Sequence, residues 1–261
     1  MKTKVKKNVA DMRKSPRPHA ERVSQLLFNM ECEVLRREGE WTLVTAPDDY
    51  RGWVRSHYLS QFSLGGGERA TVSRLYCPVY GEEKGLRTRL SFGTNVSGRP
   101  AGKFFKFDWP DGGRVRIPRS HLRTAPTGRG ERVELEELAR RFLGIPYLWG
   151  GGSSYGFDCS GFVQRLCGYF GLDLPRDSEQ QEQCGKRLEI DDLREESERL
   201  KSGDLIFFEG HVGLSLGEGE MIHSCRRENG VALTDLTTKG GYSQELREIY
   251  RCVRRFERLS P

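Results

Sequence analysis

A cysteine stands at the junction between a glycine-rich loop and an apolar helix, and this junction constrains the fold more than any other segment. The loop contains Trp149-Gly150-Gly151-Gly152, and Asp158-Cys159-Ser160-Gly161 follows soon after it. Apolar residues then recur at helical spacing up to about Gly171. Cys159 is therefore expected at a helix N-terminus, where the helix dipole and free backbone N–H groups stabilise a thiolate and a developing oxyanion.

Two histidines follow on segments whose patterns predict neighbouring strands. His211 begins the run His211–Leu216, and His223 lies within Glu220–Cys225. If the chain reverses through a three-residue loop at 217–219, His211 lies opposite Cys225, and His223 is its diagonal neighbour on the same face. A two-residue loop would place the histidines on opposite faces. Two same-face histidines beside a thiolate could supply the base and the orienting residue of a cysteine hydrolase.

Each of these residues also has a purely structural interpretation. A lone cysteine is most often a buried apolar residue, and this explains Cys32, Cys77, Cys167 and Cys252 without any chemistry. A lone histidine is likewise more often structural or exposed than catalytic. Cys159 differs because a glycine-rich loop leads into it and an apolar helix follows it, so the sequence favours it as a nucleophile.

Charge and cysteine usage narrow the remaining classes. The 261 residues carry a formal net charge of +6. Basic residues are interspersed with acidic ones and no nucleic-acid-binding motif accompanies them, so no nucleic-acid partner is expected. The N-terminal lysines precede a polar stretch, and no apolar run is long enough for a membrane helix, so neither export nor a membrane partner is expected. The seven cysteines include no CxxC pair, which favours a reducing, cytoplasmic location over a disulfide framework or a zinc site.

The N-terminal residues predict a small barrel of short strands. Glu40–Val44 alternates at the strand period, Pro47–Asp49 predicts a turn, and Tyr50–Val54 follows as the next strand. A Trp, then Gly52-Trp53-Val54, then a terminal Tyr58-Leu59 resembles the bacterial SH3-like domain, which we assign to residues 1–63. The glycines within 64–67 predict a linker after it.

Residues 68–125 repeat this pattern in weaker form. Gly113–Arg116 and Ser120–Leu122 echo Gly52–Arg55 and Ser56–Leu59, which predicts a second, divergent SH3-like domain. A second linker is expected at 125–130. Residues 129–261 combine helical patterns with consecutive predicted strands, which is typical of an α+β domain. The predicted fold class is therefore multidomain, with two small all-β SH3-like barrels before an α+β catalytic domain.

Five motifs in the last domain resemble the NlpC-type cell-wall peptidases, a papain-like family also called p-sixty. In chain order they are Pro146-Tyr147-Leu148-Trp149-Gly150-Gly151, Asp158-Cys159-Ser160-Gly161, Pro175-Arg176, Gly203-Asp204-Leu205-Ile206-Phe207 and His211-Val212-Gly213. The resemblance implies a papain-like fold, with Cys159 as nucleophile, His211 as its base and His223 as the third polar residue. It also implies that Tyr147 and the Cys159 backbone N–H hold the oxyanion. It implies no metal and no cofactor.

With two SH3-like domains before the peptidase, the chain is similar to the γ-D-glutamyl-L-diamino-acid endopeptidases of murein peptide recycling. That resemblance implies a free murein peptide, L-Ala-γ-D-Glu-diamino acid, as substrate and cleavage after D-Glu. Asp177 would accept the L-Ala ammonium, and Ser160, Ser178 and Arg176 would engage the α-carboxylate of D-Glu. The implied substrate-binding residues are Asp158, Ser160, Arg176, Asp177, Ser178, Tyr50 and Glu21.

Several alternatives stay open at this point. Tyr50 and Glu21 belong to the first SH3-like domain, which closes one end of the cleft in that group, yet Tyr50 also suits a barrel-surface aromatic. Arg176-Asp177-Ser178 alone would suit a helix cap with a surface ion pair. The chain could also be an inactive module that binds wall peptides, or an exported wall hydrolase or acyltransferase on the same scaffold. The sequence leaves open whether the diamino acid is meso-diaminopimelate or L-Lys, and it leaves the oligomeric state open.

Overall fold

A computed structural model describes residues 1–81, 85–124, 132–257 and 259 of the chain. The chain divides into two compact units, residues 1–126 and 127–261. The second linker, expected at 125–130, lies outside the described residues.

Two seven-stranded antiparallel sheets form the described part of the first unit. The first sheet contains β1 (Lys2–Val5), β2 (Val9–Arg13), β3 (Arg22–Leu27), β4 (Glu31–Glu38), β5 (Trp41–Thr45), β6 (Arg51–Arg55) and β7 (Leu59–Ser60). The second contains β8 (Glu68–Val72), β9 (Tyr76–Gly81), β10 (Leu86–Ser91), β11 (Asn95–Ala101), β12 (Phe104–Asp108), β13 (Arg114–Pro118) and β14 (Leu122–Arg123). Short 3-10 turns, Ser56–Tyr58 and Arg119–His121, precede the last strand of each sheet.

The two sheets have the same strand order. It is β3-β2-β6-β5-β4-β1-β7 in the first and β10-β9-β13-β12-β11-β8-β14 in the second. Each strand of one sheet thus has a counterpart at the same place in the other. The identical strand order supports the internal repeat that was predicted from the weak sequence similarity between the two segments.

The period-two pattern of the strands determines which face is buried. In β2, Ala10 and Met12 are fully buried between half-buried neighbours, and Val115 and Ile117 occupy the same alternating positions in β13. The N-terminal strand β1 adds Val5 to the core of the first sheet, although its lysine-rich sequence gave no strand signal.

The segment between the two sheets is anchored and does not act as a free linker. Leu64 is 3% exposed and belongs to the apolar core of the second sheet. Its carbonyl accepts a hydrogen bond from the backbone N–H of Asp108 at 3.2 Å. Phe28 enters the same core and stacks on Trp109, with ring centroids 4.8 Å apart. The linker expected at 64–67 therefore begins with a residue that joins the two sheets through a shared core.

Four helices and eight strands form the described part of the second unit. The helices are α1 (Arg132–Arg140), α2 (Cys159–Tyr169), α3 (Ser178–Gln181) and α4 (Gly241–Glu248). The strands are β15 (Gly152–Ser153), β16 (Gly156–Phe157), β17 (Lys186–Leu188), β18 (Leu205–Phe208), β19 (His211–Gly217), β20 (Glu220–Cys225), β21 (Gly230–Asp235) and β22 (Tyr250–Arg255). A 3-10 turn spans Ser197–Arg199. Among the described residues, no helix is long and apolar enough to cross a membrane.

One six-stranded antiparallel sheet organises this unit, in the order β17-β22-β18-β19-β20-β21. Helix α2 packs against β19 and β20. Phe142, Phe157 and Phe162 pack edge to face at 5.6–5.8 Å and fix the position of α2. The fully buried carboxylate of Asp204 accepts two hydrogen bonds from Arg255, at 2.6 and 2.7 Å, and ties the start of β18 to β22. The sheet therefore presents β19 and β20 to the N-terminal end of α2.

Candidate active site

Cys159 is the first residue of α2, as the glycine-loop pattern predicted. Asp158 is the N-cap, and its Oδ1 accepts a hydrogen bond from the backbone N–H of Gly161 at 2.7 Å. Its Oδ2 accepts from the N–H of Gly150 at 3.0 Å and so holds the glycine-rich loop against the helix. A Cβ at position 161 would overlap the carbonyl oxygen of Gly151, which explains the glycine there. These contacts fix Cys159 at the N-terminus of α2.

The hairpin between β19 and β20 brings His211 and His223 together by a route that the sequence did not reveal. Its turn has only two residues, Glu218 and Gly219, both with positive φ, where three were expected. Leu214 nevertheless pairs with Ile222, as the three-residue loop required, because the register shifts between Ser215 and Gly217. This bulge compensates for the shorter turn and keeps both histidines on one face. Nε2 of His211 lies 2.7 Å from Nδ1 of His223.

Three side chains that sequence reasoning missed hold the histidine pair. Nε2 of the fully buried His223 lies 2.9 Å from Oγ1 of Thr234, and the Tyr242 ring stacks on the His223 imidazole at 5.8 Å. The Phe208 ring lies 6.0 Å from that of His211. Thr234 could have been found by the diagonal-neighbour rule applied once more, because His223 pairs with Ala232 across β20 and β21.

Tyr147 lies beside Cys159, on a segment that the hairpin between β20 and β21 supports. Its backbone N–H donates to the carbonyl of Asn229 at 3.0 Å. Burial raises the pKa of Tyr147, and negative charge on Cys159 and Asp158 acts in the same direction, whereas a hydrogen bond with Arg226 opposes the shift. The phenol therefore stays protonated at neutral pH and can donate a hydrogen bond to an oxyanion.

Burial favours the neutral forms of the thiol and of both histidines, opposite to the low-pKa thiolate expected from the helix terminus. Burial, with the nearby Asp158 charge, raises the pKa of Cys159 to about 11, although the backbone N–H groups of Val212 and Ser160 oppose the shift. Burial lowers the pKa of His211 to about 4 and that of His223 to about 3. Desolvation thus outweighs the helix terminus at this position.

Asp158 and Arg176 form a buried ion pair, not the surface pair that the tripeptide Arg-Asp-Ser taken alone would suit. Arg176 is 2% exposed, and its two terminal nitrogens lie 2.6 and 3.1 Å from the two Asp158 carboxylate oxygens. Arg176 also donates to Oγ of Ser160 at 2.9 Å. Five donor atoms surround the Asp158 carboxylate, so this pair positions the start of α2 against the glycine-rich loop. The direct substrate contact expected of Asp158 and Arg176 stays a prediction.

Asp177 and Ser178 begin the short helix α3, and both are half-buried. The buried amide of Gln181 donates to the backbone carbonyls of Ser160 and Pro175, at 3.1 and 2.8 Å. These bonds hold the start of α3 against the start of α2. The structure thus gathers Ser160, Asp177 and Ser178 into one region beside the helix that carries the cysteine.

Tyr50 and Glu21 belong to the first unit. Tyr50 is half-buried and packs against the core of the first sheet. Glu21 makes an exposed ion pair with Lys14 at 3.4 Å. Their proposed contact with substrate stays a prediction.

An arginine that the motifs did not mark completes the site. The guanidinium carbon of Arg226 lies 5.6 Å from the ring centroid of Tyr147 and 4.9 Å from that of Trp149. In the described part of the chain, no group of His, Cys, Asp and Glu side chains is arranged to hold a metal ion.

Comparison with known proteins gives family matches in both units. Residues 144–251 match the model described as NlpC/P60 family, and residues 12–59 match that of the bacterial dipeptidyl-peptidase Sh3 domain. The chain is 31% identical over 248 residues to gamma-D-glutamyl-L-lysine dipeptidyl-peptidase of Bacillus subtilis (strain 168), which covers 88% of this chain and 80% of that protein. A Bacillus cereus protein of the same name is 40% identical over 115 residues, or 41% of this chain and 32% of that protein.

A solved structure shares the fold over nearly the whole chain. The crystal structure of an NlpC/P60 family protein from Bacillus cereus ATCC 10987 aligns with a TM-score of 0.84. The alignment covers 98% of this chain and 99% of that one, at 23% identity. At this level of identity the likeness shows a common fold.

Proposed function

Because the chain belongs to the NlpC/P60 family and is a cysteine-type peptidase, we propose that it hydrolyses the γ-D-glutamyl–diamino acid bond of free murein peptides that begin with L-Ala. The observation that carries the proposal is the cluster of Tyr147, Cys159, His211 and His223, in a chain 31% identical to a protein named for the γ-D-glutamyl-L-lysine bond. The proposal includes a cytoplasmic role in murein peptide recycling, where the nucleophilic thiol stays reduced.

The first chemical step transfers the thiol proton to His211. Nε2 of His211 is hydrogen-bonded to His223, so Nδ1 is the nitrogen left to accept a proton. A neutral imidazole is needed for this, and the lowered pKa of His211, about 4, keeps it neutral at pH 7. His223, which Thr234 holds in turn, orients the ring and stabilises the imidazolium that forms.

Acylation and hydrolysis then follow on the same groups. The Cys159 sulfur attacks the γ-carbonyl of D-Glu, and the Cys159 backbone N–H and the Tyr147 hydroxyl donate to the oxyanion. As the C–N bond breaks, His211 passes its proton to the leaving amine of the diamino acid. His211 then removes a proton from water, and the water oxygen adds to the thioester carbonyl. When the carbon–sulfur bond breaks, His211 returns this proton to the Cys159 sulfur and L-Ala-D-Glu is released.

Recognition on the acyl side is proposed for the region around α3. The half-buried Asp177 carboxylate would bind the L-Ala ammonium, and the hydroxyls of Ser160 and Ser178 would donate to the α-carboxylate of D-Glu. The buried pair of Arg176 and Asp158 holds Ser160 in place, because Arg176 donates a hydrogen bond to the Ser160 hydroxyl at 2.9 Å.

Product analysis tests the proposal directly. Incubation with L-Ala-γ-D-Glu-meso-diaminopimelate, or with its L-Lys analogue, should release L-Ala-D-Glu, detected by mass spectrometry. The Cys159→Ala variant should release none, and Cys167→Ala, a buried cysteine of the same helix, should retain cleavage. Cleavage at a different bond, or unchanged cleavage by Cys159→Ala, would contradict the proposal.

The free ammonium is the second measurable feature of the substrate. A charge-assisted hydrogen bond in a partly buried site contributes about 1.5–3 kcal/mol, so N-acetylation of the tripeptide should lower kcat/KM by roughly ten- to a hundredfold. Asp177→Ala should narrow this gap, chiefly by slowing the free peptide, whereas Asp173→Ala at a nearby exposed position should not. Equal cleavage of the free and acetylated peptides by the wild type would remove the recycling role and leave the peptidase assignment intact.

A further inference from the structure

Arg226 occupies a fixed but exposed position beside the candidate catalytic groups. It directly follows β20, the strand that carries His223, and its carbonyl accepts from the N–H of Asn229 at 3.1 Å to close the turn. The carbonyl of Asn229 in turn accepts from the N–H of Tyr147 at 3.0 Å. The turn that bears Arg226 is thus bonded to the backbone of the proposed oxyanion tyrosine.

Two aromatic rings hold the guanidinium in place. Its central carbon lies 4.9 Å from the ring centroid of Trp149 and 5.6 Å from that of Tyr147, and Arg226 is hydrogen-bonded to Tyr147. Trp149 is itself 51% exposed. Stacking on aromatic faces fixes the plane of a guanidinium while leaving its edge free to donate hydrogen bonds.

The adjacent Arg227 has a carboxylate partner, whereas Arg226 has none among the described residues. Arg227 also stacks on an aromatic ring, that of Tyr242 at 4.9 Å, and it pairs with both carboxylate oxygens of Glu245 at 2.5 and 2.7 Å. Among the described residues, none supplies a carboxylate within ion-pair distance of Arg226. A preordered guanidinium fork without an internal anion is suited to binding a carboxylate from a ligand.

The geometry points to Arg226 as the receptor for a carboxylate of the diamino acid, the leaving group of the reaction; this inference rests on the function proposed above. The tripeptide carries an ammonium on L-Ala and a carboxylate on D-Glu, and the region around Asp177, Ser160 and Ser178 accounts for both. The negative charge that remains belongs to the diamino acid. Arg226 contacts Tyr147, which is proposed to hold the oxyanion, so it lies within reach of the residue bonded to that carbonyl.

Matched peptides separate direct binding from an indirect effect through Tyr147. The substrates are L-Ala-γ-D-Glu-L-Lys and the same peptide with a C-terminal amide. The wild type should cleave the free acid with a kcat/KM at least tenfold higher than the amide, because one charge-assisted hydrogen-bonded contact is lost. Arg226→Gln should abolish this preference by slowing the free acid alone. Arg227→Gln, the neighbouring control, should keep it.

Peptides with meso-diaminopimelate, amidated at either carboxylate, identify which carboxylate Arg226 binds. The amide whose cleavage no longer depends on Arg226 marks the contacting group. Binding of the free-acid and amide peptides to Cys159→Ala, with and without Arg226→Gln, supplies a readout that needs no turnover.

Three results would overturn the inference. If Arg226→Gln lowers kcat/KM equally for the free-acid and the amide peptides, the arginine acts only by ordering Tyr147. An unchanged preference in that variant would show that another group binds the carboxylate. Failure of the wild type to cleave the γ-bond of any of the peptides would remove the proposed function, and this inference with it.

Discussion

At the scale of the residue, the electrostatics of Cys159 depend on two opposing effects. Its position at the start of α2 and the N–H groups of Ser160 and Val212 stabilise a thiolate, while desolvation and the Asp158 charge destabilise it. Desolvation dominates and favours the protonated thiol, so the thiol must lose its proton before the sulfur can attack a carbonyl.

The pH dependence of alkylation by iodoacetamide measures the ionisation of the Cys159 thiol. The reagent has no ionisable group, so any change in rate with pH comes from the protein. With the pKa of Cys159 raised to about 11, its thiolate fraction rises about tenfold per pH unit through neutral pH. The alkylation rate at Cys159, followed by peptide mass spectrometry, should therefore keep rising from pH 6 to pH 10. A plateau below pH 8 would show a preformed thiolate–imidazolium pair and contradict the neutral resting state.

Thr234 provides a second prediction at this scale. Thr234→Val leaves Nε2 of the buried His223 without its partner at 2.9 Å, which costs about 1–3 kcal/mol. We expect kcat to fall by about tenfold or more, since the orientation of His211 depends on His223. Thr234→Ser keeps the hydroxyl and should retain most of the rate. If the valine and serine variants are equally active, Thr234 does not orient the pair.

The position of the cysteine could be predicted from sequence, but its protonation state could not. The glycine run and the apolar helix are local patterns, and they place Cys159 correctly at the first turn of α2. The raised pKa depends on how closely β19 covers the sulfur, a tertiary contact that leaves no local signal. Arg226 was missed for the same reason, because only the hairpin between β20 and β21 brings it to Tyr147.

At the scale of secondary-structure elements, the buried pair of Asp158 and Arg176 joins the N-cap of α2 to the segment before α3. Removing one partner of such a pair leaves an uncompensated buried charge. The sequence left a surface ion pair open as an alternative here, because Arg176 lies in a polar tripeptide. The fold instead buries the tripeptide's first residue against the glycine-rich loop.

Arg176→Ala should therefore lower the free energy of unfolding by about 3–5 kcal/mol. The double variant Asp158→Asn, Arg176→Met removes both charges and should lose less. Arg199→Ala, which breaks an exposed pair with Glu196, should change it by less than about 1 kcal/mol. Urea unfolding followed by circular dichroism measures all three. Similar losses from Arg176→Ala and Arg199→Ala would mean that the pair does not hold the site together.

The strands that carry the histidines were predicted well, and the turn between them was not. His211–Leu216 and Glu220–Cys225 differ from the observed strands by at most a residue at each end. The loop length was wrong, yet the inferred pairing held because a bulge near Leu216 restored the register. A bulge of this kind has no strong sequence signature, so register could be inferred only from the chemistry that the histidines require.

At the scale of the whole molecule, the two sheets of the first unit share side chains rather than merely following one another. Phe28 comes from the first sheet's chain and is 1% exposed in the core of the second, where it stacks on Trp109. Leu64 fills the same core from the connecting segment. The sequence predicted two domains and a linker, and it gave no sign of this shared core because apolar residues at strand ends are common.

Phe28→Ala should lower the free energy of unfolding of both sheets by about 3–5 kcal/mol, because the truncated side chain leaves a cavity in their shared core. Tyr76→Ala, at a 38% exposed position on the second sheet, should cost less than about 1 kcal/mol. Tryptophan fluorescence during urea unfolding reports both sheets, since Trp53 lies in the first and Trp109 beside the second. Loss of stability in only one of the two sheets would show that they unfold independently.

In the bulged hairpin that joins β19 to β20, the number of residues between His211 and His223 decides whether the two side chains lie on the same face of the sheet. Its two-residue turn and the one-residue bulge each invert the face on which His223 would point, and together they cancel. Deleting Leu216 alone, or lengthening the turn by one residue alone, would turn one imidazole away from the other. Making both changes would restore their meeting. Insertions and deletions here should therefore be tolerated only in compensating pairs, much as two frameshifts restore a reading frame.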